Sequence, residues 1–119
     1  MKLTLPEWDV MEVLWSGDSF ALGEITSLLK DSHGWTNNTV HTYLTRMNKK
    51  GLVAIDKSSA APYKAAVTRE ECAKEERQEL LTKVYSGAAG DLIAAFLKDS
   101  EISKSEVERL KKLLDEMEV

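Results

Sequence analysis

Trp35-Thr36-Asn37-Asn38-Thr39-Val40-His41-Thr42-Tyr43-Leu44-Thr45-Arg46-Met47-Asn48-Lys49-Lys50-Gly51 is the stretch on which the reading of this chain turns. Thr36 is a helix-capping residue and Gly51 a helix-ending one, so the run predicts a helix from about Thr36 to Lys50. At about 100° per residue, Val40, Tyr43, Leu44 and Met47 fall on one narrow stripe. The opposite side carries Asn38, Thr42, Thr45 and Lys49, with His41 and Arg46 at its flanks, and none of these is apolar or acidic. A solvated helix face ordinarily mixes Glu and Asp with Lys. Amides, hydroxyls and cations without a carboxylate suit the base edges and phosphates of a DNA major groove.

Upstream lie two shorter helical patterns. Thr4-Leu5-Pro6-Glu7 is a capping box with proline in the first turn, and it opens a helix with Trp8, Met11, Leu14 and Trp15 on one face, stopped at Gly17. A second helix carries Leu22, Ile25, Leu28 and Leu29 and ends near Ser32-His33-Gly34. Downstream of Gly51 the period changes: Leu52–Lys57 and Tyr63–Val67 read as two short strands around Ser58-Ser59-Ala60-Ala61-Pro62, a hairpin. Three helices followed by a hairpin is the order of a winged helix-turn-helix domain, expected over residues 1–69.

Residues 70–119 carry no strand signal and predict a helical region. Thr68-x-x-Glu71 caps a long helix bearing Leu80, Leu81 and Val84, interrupted at Ser86-Gly87 and Gly90. Leu92, Ile93, Phe96 and Leu97 mark a short apolar helix. Ser103-x-x-Glu106, with Ile102 and Val107 as a hydrophobic staple, starts a last helix bearing Val107, Leu110, Leu114 and Met117. So short a region has too little material for a core of its own, and the simplest cover for its stripes is a second copy of the chain. The expected architecture is therefore mainly α, a winged helix-turn-helix DNA-binding domain followed by a C-terminal helical dimerisation region. The alternative is a monomer whose stripes fold back on residues 1–69.

Composition bounds the function. The 119 residues are 43% apolar and 30% charged, as in a globular protein. One cysteine, Cys72, excludes an internal disulfide framework and a Cys-rich metal site. No run approaches 18 or so apolar residues and no charged-then-apolar leader opens the chain, so a cytoplasmic setting is expected rather than a membrane or secreted one. The net charge of −4 hides a split: residues 36–64 hold Arg46, Lys49, Lys50, Lys57 and Lys64 against Asp56 alone, a local +4. No catalytic triad, phosphate loop or carboxylate pair stands out, so no enzyme, cofactor or metal is expected.

Side-chain chemistry distributes roles on the α-helical face. Asn38 can pair with the edge of adenine, and His41 and Thr42 can offer hydrogen bonds or a methyl contact to thymine. Thr36 and Asn37 stand at the helix N-terminus, where free N–H groups favour a phosphate. Arg46, Lys49 and Lys50 neutralise backbone charge, joined by Lys57 and Lys64 from the hairpin. Protonation of His41 would add a cation to this face. His33 reads as a loop residue and Cys72 as a packed one.

The run Leu3-Thr4-x-x-Glu7-Trp8-x-Val10-Met11-x-x-Leu14-Trp15 resembles the opening of the BlaI/MecI family of penicillinase repressors, and Trp35-Thr36-x-x-Thr39-Val40-x-Thr42-x-Leu44-x-Arg46-Met47-x-x-Lys50-Gly51-Leu52 is similar to its second motif. The likeness continues through Tyr63 and the tail, and it adds Thr39 and Tyr63 to the DNA-binding candidates. It implies a homodimeric repressor on an inverted-repeat operator, with the tail supplying the dimer contacts. It also implies a membrane sensor protease as partner, cutting the tail at a bond that corresponds here to Ala95-Phe96. The cleaved members have Asn where Ala95 stands, and basic residues are common in the family where Asn38 and His41 stand. The Cys-x-Cys cluster of the copper-responsive branch is absent from this tail. Two rival readings stay open: a winged-helix regulator that senses a small ligand, which that ligand would stabilise thermally, and an interaction module that binds no duplex.

Overall fold

The computed structural model describes residues 2–117, and the chain forms two compact units that meet between Gln78 and Glu79. The first contains α1 (Leu5–Trp15), α2 (Leu22–Leu29), α3 (Asn37–Lys49), the antiparallel strands β1 (Val53–Ile55) and β2 (Tyr63–Ala65), and the start of α4 (Arg69–Tyr85). β1 and β2 pair in the register Val53–Ala65, Ala54–Lys64, Ile55–Tyr63. Phe20, between α1 and α2, exchanges both backbone hydrogen bonds with Tyr63, at 2.8 and 3.0 Å. That bridge adds a one-residue third strand to the sheet. The resulting order of helix, strand, two helices and hairpin is a winged helix-turn-helix.

The two Thr-Glu capping boxes of this unit form. Thr4 Oγ1 accepts from Glu7 N while Glu7 Oε1 accepts from Thr4 N, and Thr68 and Glu71 repeat the exchange at the head of α4. α3 ends as its sequence requires. Gly51 takes φ +82°, Gly51 N donates to Asn48 O and Leu52 N to Met47 O, the two bonds of a glycine-terminated helix. Leu52 then enters the core beside Val10, Met11, Leu14, Ile25, Val40, Leu44 and Met47, all of them at most 1% exposed. Burial of each such side chain contributes roughly 1.5–3 kcal/mol. Leu28, expected on the inward face of α2, is instead 58% exposed, because the eight-residue helix presents Ile25 and Leu29 to the core.

Two polar ties lock the ends of this unit together. Trp15 Nε1 donates to Val67 O at 2.9 Å, and Arg69, its guanidinium over the Trp15 ring, pairs with Glu12. Cys72 on α4 is 1% exposed and belongs to the same core, which is why the first unit extends past residue 69. Burial, then the neighbouring Glu75 and Glu71 carboxylates, push its thiol pKa up, so it packs as an inert small hydrophobe. Beyond β1 the wing is closed by Asp56 N donating to Pro62 O at 2.8 Å.

The second unit, from Glu79, holds the end of α4, α5 (Ala89–Asp99) and α6 (Lys104–Glu116). Ser86 and Gly87, at φ 49° and 84°, break the chain between α4 and α5, whereas Gly90 sits inside the first turn of α5 rather than in the break. Ser103 Oγ caps α6 by accepting from Glu106 N, while the Glu106 carboxylate pairs forward with Arg109 at 3.1 Å. No described residue of α5 or α6 is buried, and Val84, Phe96 and Leu114 are 59%, 57% and 63% exposed. None of the described helices is by itself long and apolar enough to cross a membrane.

Candidate nucleic-acid interface

α3 is held from below and bare above. Val40, Leu44 and Met47 are fully buried, and Thr36 caps the helix by accepting from Thr39 N at 3.3 Å. On the far side Asn37, Asn38, His41, Thr42, Thr45, Arg46 and Lys49 are all exposed, and α3 contains no carboxylate. A shallow groove of about 300 Å³ runs along this face between His41, Thr42, Thr45, Arg46 and Lys49. A second, of about 420 Å³, separates α3 from the wing and is lined by His41, Thr45, Asn48, Ile55, Lys57 and Tyr63. Asn48 Nδ2 donates to Val53 O at 2.7 Å and so fixes the wing against the end of α3.

A ladder of stacked rings steadies the helix from one side. His33 lies 4.0 Å from Trp35 and Trp35 lies 4.6 Å from Tyr43, with interplanar angles of 18° and 13°. Arg46 continues it with its guanidinium 5.5 Å from the Tyr43 ring centre, a cation over a π face. At the other end His33 Nε2 sits 2.6 Å from Asp9 Oδ2 on α1. His33, read as a loop residue, is thus a tie between α1 and the entry to α3.

The expected phosphate contacts divide. Arg46, Lys49, Lys57 and Lys64 are exposed on α3 and the wing. Lys50 is exposed too, but its ammonium is not free. Its ammonium lies 2.8 and 3.0 Å from the two Glu7 oxygens and 3.0 Å from Lys2 O, so it is committed to the protein and leaves the candidate set. Glu7 is 2% exposed. Burial alone would push its carboxyl pKa up, but the Lys50 hydrogen bond, the Thr4 backbone bond and the Lys50 charge together hold it below the usual carboxylate value.

Tyr63 also departs from its expected role: it is 8% exposed, its backbone bridges Phe20, and its ring belongs to the core and only floors the second groove. The Thr36 hydroxyl is engaged in capping, Thr39 is half-buried, and Thr42 Oγ1 donates to Asn38 O at 2.9 Å. At the wing tip the Ser58 hydroxyl and backbone N–H, then the Lys64 charge, hold the Asp56 carboxyl below its usual value. Among the described residues no group of three or more His, Cys, Asp or Glu side chains is placed to hold a metal ion.

A buried-backed helix with a carboxylate-free outer face, a two-stranded wing beside it and four exposed cations define a winged-helix DNA-binding protein. The chain belongs to the penicillinase repressor family, whose model matches residues 3–116. It is 26% identical over 118 residues to the penicillinase repressor of Staphylococcus aureus, covering 98% of this chain and 94% of that one. It is 24% identical over 115 residues to the methicillin resistance regulatory protein MecI of Mammaliicoccus sciuri, covering 96% and 94%. The penicillinase repressor of Bacillus licheniformis is 25% identical over 111 residues, covering 92% and 87%. A solved MarR/EmrR family transcriptional regulator from Acinetobacter sp. ADP1 aligns with 97% of this chain and 78% of its own, at 19% identity and a TM-score of 0.44.

Proposed function

We propose that two copies of this DNA-binding repressor occupy an inverted-repeat operator, one α3 in the major groove of each half-site. The observation that carries the reading is the outer face of α3, where Asn38, His41, Thr42, Thr45, Arg46 and Lys49 are exposed together without an acid among them. Asn38 and Thr42 meet base edges. Arg46 and Lys49 from the helix, with Lys57 and Lys64 from the wing, neutralise phosphates, and the N-terminal N–H groups at Thr36 and Asn37 donate to a further phosphate. Residues 1–69 supply DNA binding and residues 70–119 hold the two copies together.

The dimer reading is supported by the apolar stripes of the tail: Leu80, Val84, Ile93, Phe96, Leu97, Val107, Leu114 and Met117 are all more than a third exposed, and Leu81, Leu92 and Leu110 are half-buried. Large apolar side chains left exposed on all three helices are surface of the kind that a partner covers. Cutting at Ala95-Phe96, inside α5, by a membrane sensor protease is the relief mechanism that accompanies this reading. It would part α6 from α5 and turn bivalent docking into monovalent docking.

Selection of bound duplexes from a random pool at moderate salt tests the proposal. The expected product is an inverted repeat with half-sites about 10 base pairs apart or a multiple of it. With four exposed cations per subunit, the slope of log affinity against log salt should be about −7. A folded protein that enriches no sequence would refute the operator reading and leave a protein-interaction module in its place.

A further inference from the structure

The α3 face contains two kinds of polar side chain, those free to meet a base and those already engaged. The amide of Asn38 and the hydroxyl of Thr45 have no hydrogen-bond partner among the described residues. Thr42 is different: its Oγ1 donates to the Asn38 carbonyl one turn back, at 2.9 Å. A hydroxyl owns one proton, so a Thr bonded in this way has no hydrogen bond to give to guanine O6 or N7, adenine N7 or thymine O4. The oxygen keeps lone pairs that could accept from an adenine or cytosine amino group, but it has no proton to give, and the other branch of this exposed side chain is the apolar γ-methyl. Thr42 lines the groove on this face together with His41, Thr45, Arg46 and Lys49.

The one apolar feature on a base edge in the major groove is the 5-methyl of thymine. We infer that Thr42 is a specificity-determining residue that reads the 5-methyl group of a thymine in each half-site by apolar contact, with its hydroxyl held by Asn38 O. This rests on the docking of α3 proposed above. It assigns the two residues complementary tasks: Asn38 provides hydrogen bonds, and Thr42 provides shape.

The test uses the full chain and the duplex recovered by the random-pool selection. Each thymine is replaced in turn by deoxyuridine, which removes only the methyl and leaves pairing and every hydrogen-bonding atom unchanged. One thymine per half-site should respond. Burial of one methyl gives about a fourfold loss of affinity per half-site, and on the order of fifteenfold when both are replaced. Thr42→Ser, which keeps the hydroxyl and removes the methyl, should bind the thymine and uracil duplexes equally. Thr42→Val, which keeps the methyl branch and removes the hydroxyl, should retain the uracil penalty. An unchanged uracil penalty in Thr42→Ser, a penalty removed by Thr45→Ser instead, or a binding duplex that tolerates uracil everywhere would overturn the assignment while leaving operator binding intact. Failure to recover any duplex would overturn both readings together.

Discussion

Replacing Lys50 by methionine separates a structural cation from a DNA-contacting one. The ammonium closes a bidentate pair with Glu7, which is 2% exposed and is otherwise held among the described residues by Thr4, whose N–H donates at 2.8 Å. Breaking a fully buried pair from one side costs roughly 3–5 kcal/mol, because a carboxylate is left without compensation. Here the Lys50 side chain is 36% exposed and water can replace part of its role, so about 2 kcal/mol is the expected loss. For a unit of this size that lowers Tm by about 10 °C. The effect has a pH signature. Glu7 has a depressed folded-state pKa, so the stability it contributes is full above its unfolded value of 4.5 and is lost as pH falls through the lower folded value. The gap between wild type and Lys50→Met should therefore be largest at neutral pH and close in acid. Glu7→Gln combined with Lys50→Met should cost less than the sum of the two single changes, since no buried charge is stranded. Thermal and urea unfolding across pH measure all of this, and titration of a bound duplex against salt measures the rest. An unshifted Tm, with a salt slope made shallower by about 2 for the dimer, would show that Lys50 contacts phosphate instead of holding Glu7.

The other expectations are briefer. Arg46→Ala should weaken duplex binding on the order of tenfold at moderate salt and make the slope about 2 units shallower, read by the same titration. Asn38→Ala should relax base preference at one position per half-site, a loss of about 1–3 kcal/mol of discrimination read by competition between operator variants. Leu114→Asp, at a side chain 63% exposed on α6, should shift the chain from dimer to monomer in sedimentation and reduce operator affinity without lowering the helix content of the first unit.

What could be read in advance follows from how local each signal is. The α3 stripe of Val40, Leu44 and Met47, the glycine that ends the helix and the paired Thr-Glu boxes all depend on contacts within a few residues, and all appear as expected. Lys50 reads as a surface cation because its partner is 43 residues away, and the His33–Asp9 tie spans 24. One sign of the former was present: Glu7, Val10, Met11 and Leu14 share the i, i+3, i+4, i+7 spacing of a buried face, which places a carboxylate where only a paired one is tolerated. The Phe20 bridge is one residue long and has no period to detect. Tyr63 lies in an alanine-rich strand whose two sides differ too little to say which faces inward. The tail stripes were legible as apolar, yet periodicity cannot name what covers them.

The closure of the wing has an evolutionary corollary. Past the Asp56–Pro62 bond, the tip is a self-contained cassette: Ser58 N and Oγ bond to Asp56 Oδ1, Ser59 N to Asp56 O, and Ala61 N to Ser59 Oγ. Residues 57–60 are exposed and tie to nothing beyond that loop among the described hydrogen bonds. Its length and charge can drift between lineages with little penalty to folding, because loop closure grows only slowly with added residues. The reach of the wing along the DNA backbone is then a trait that changes by small insertions, independently of the helix beside it.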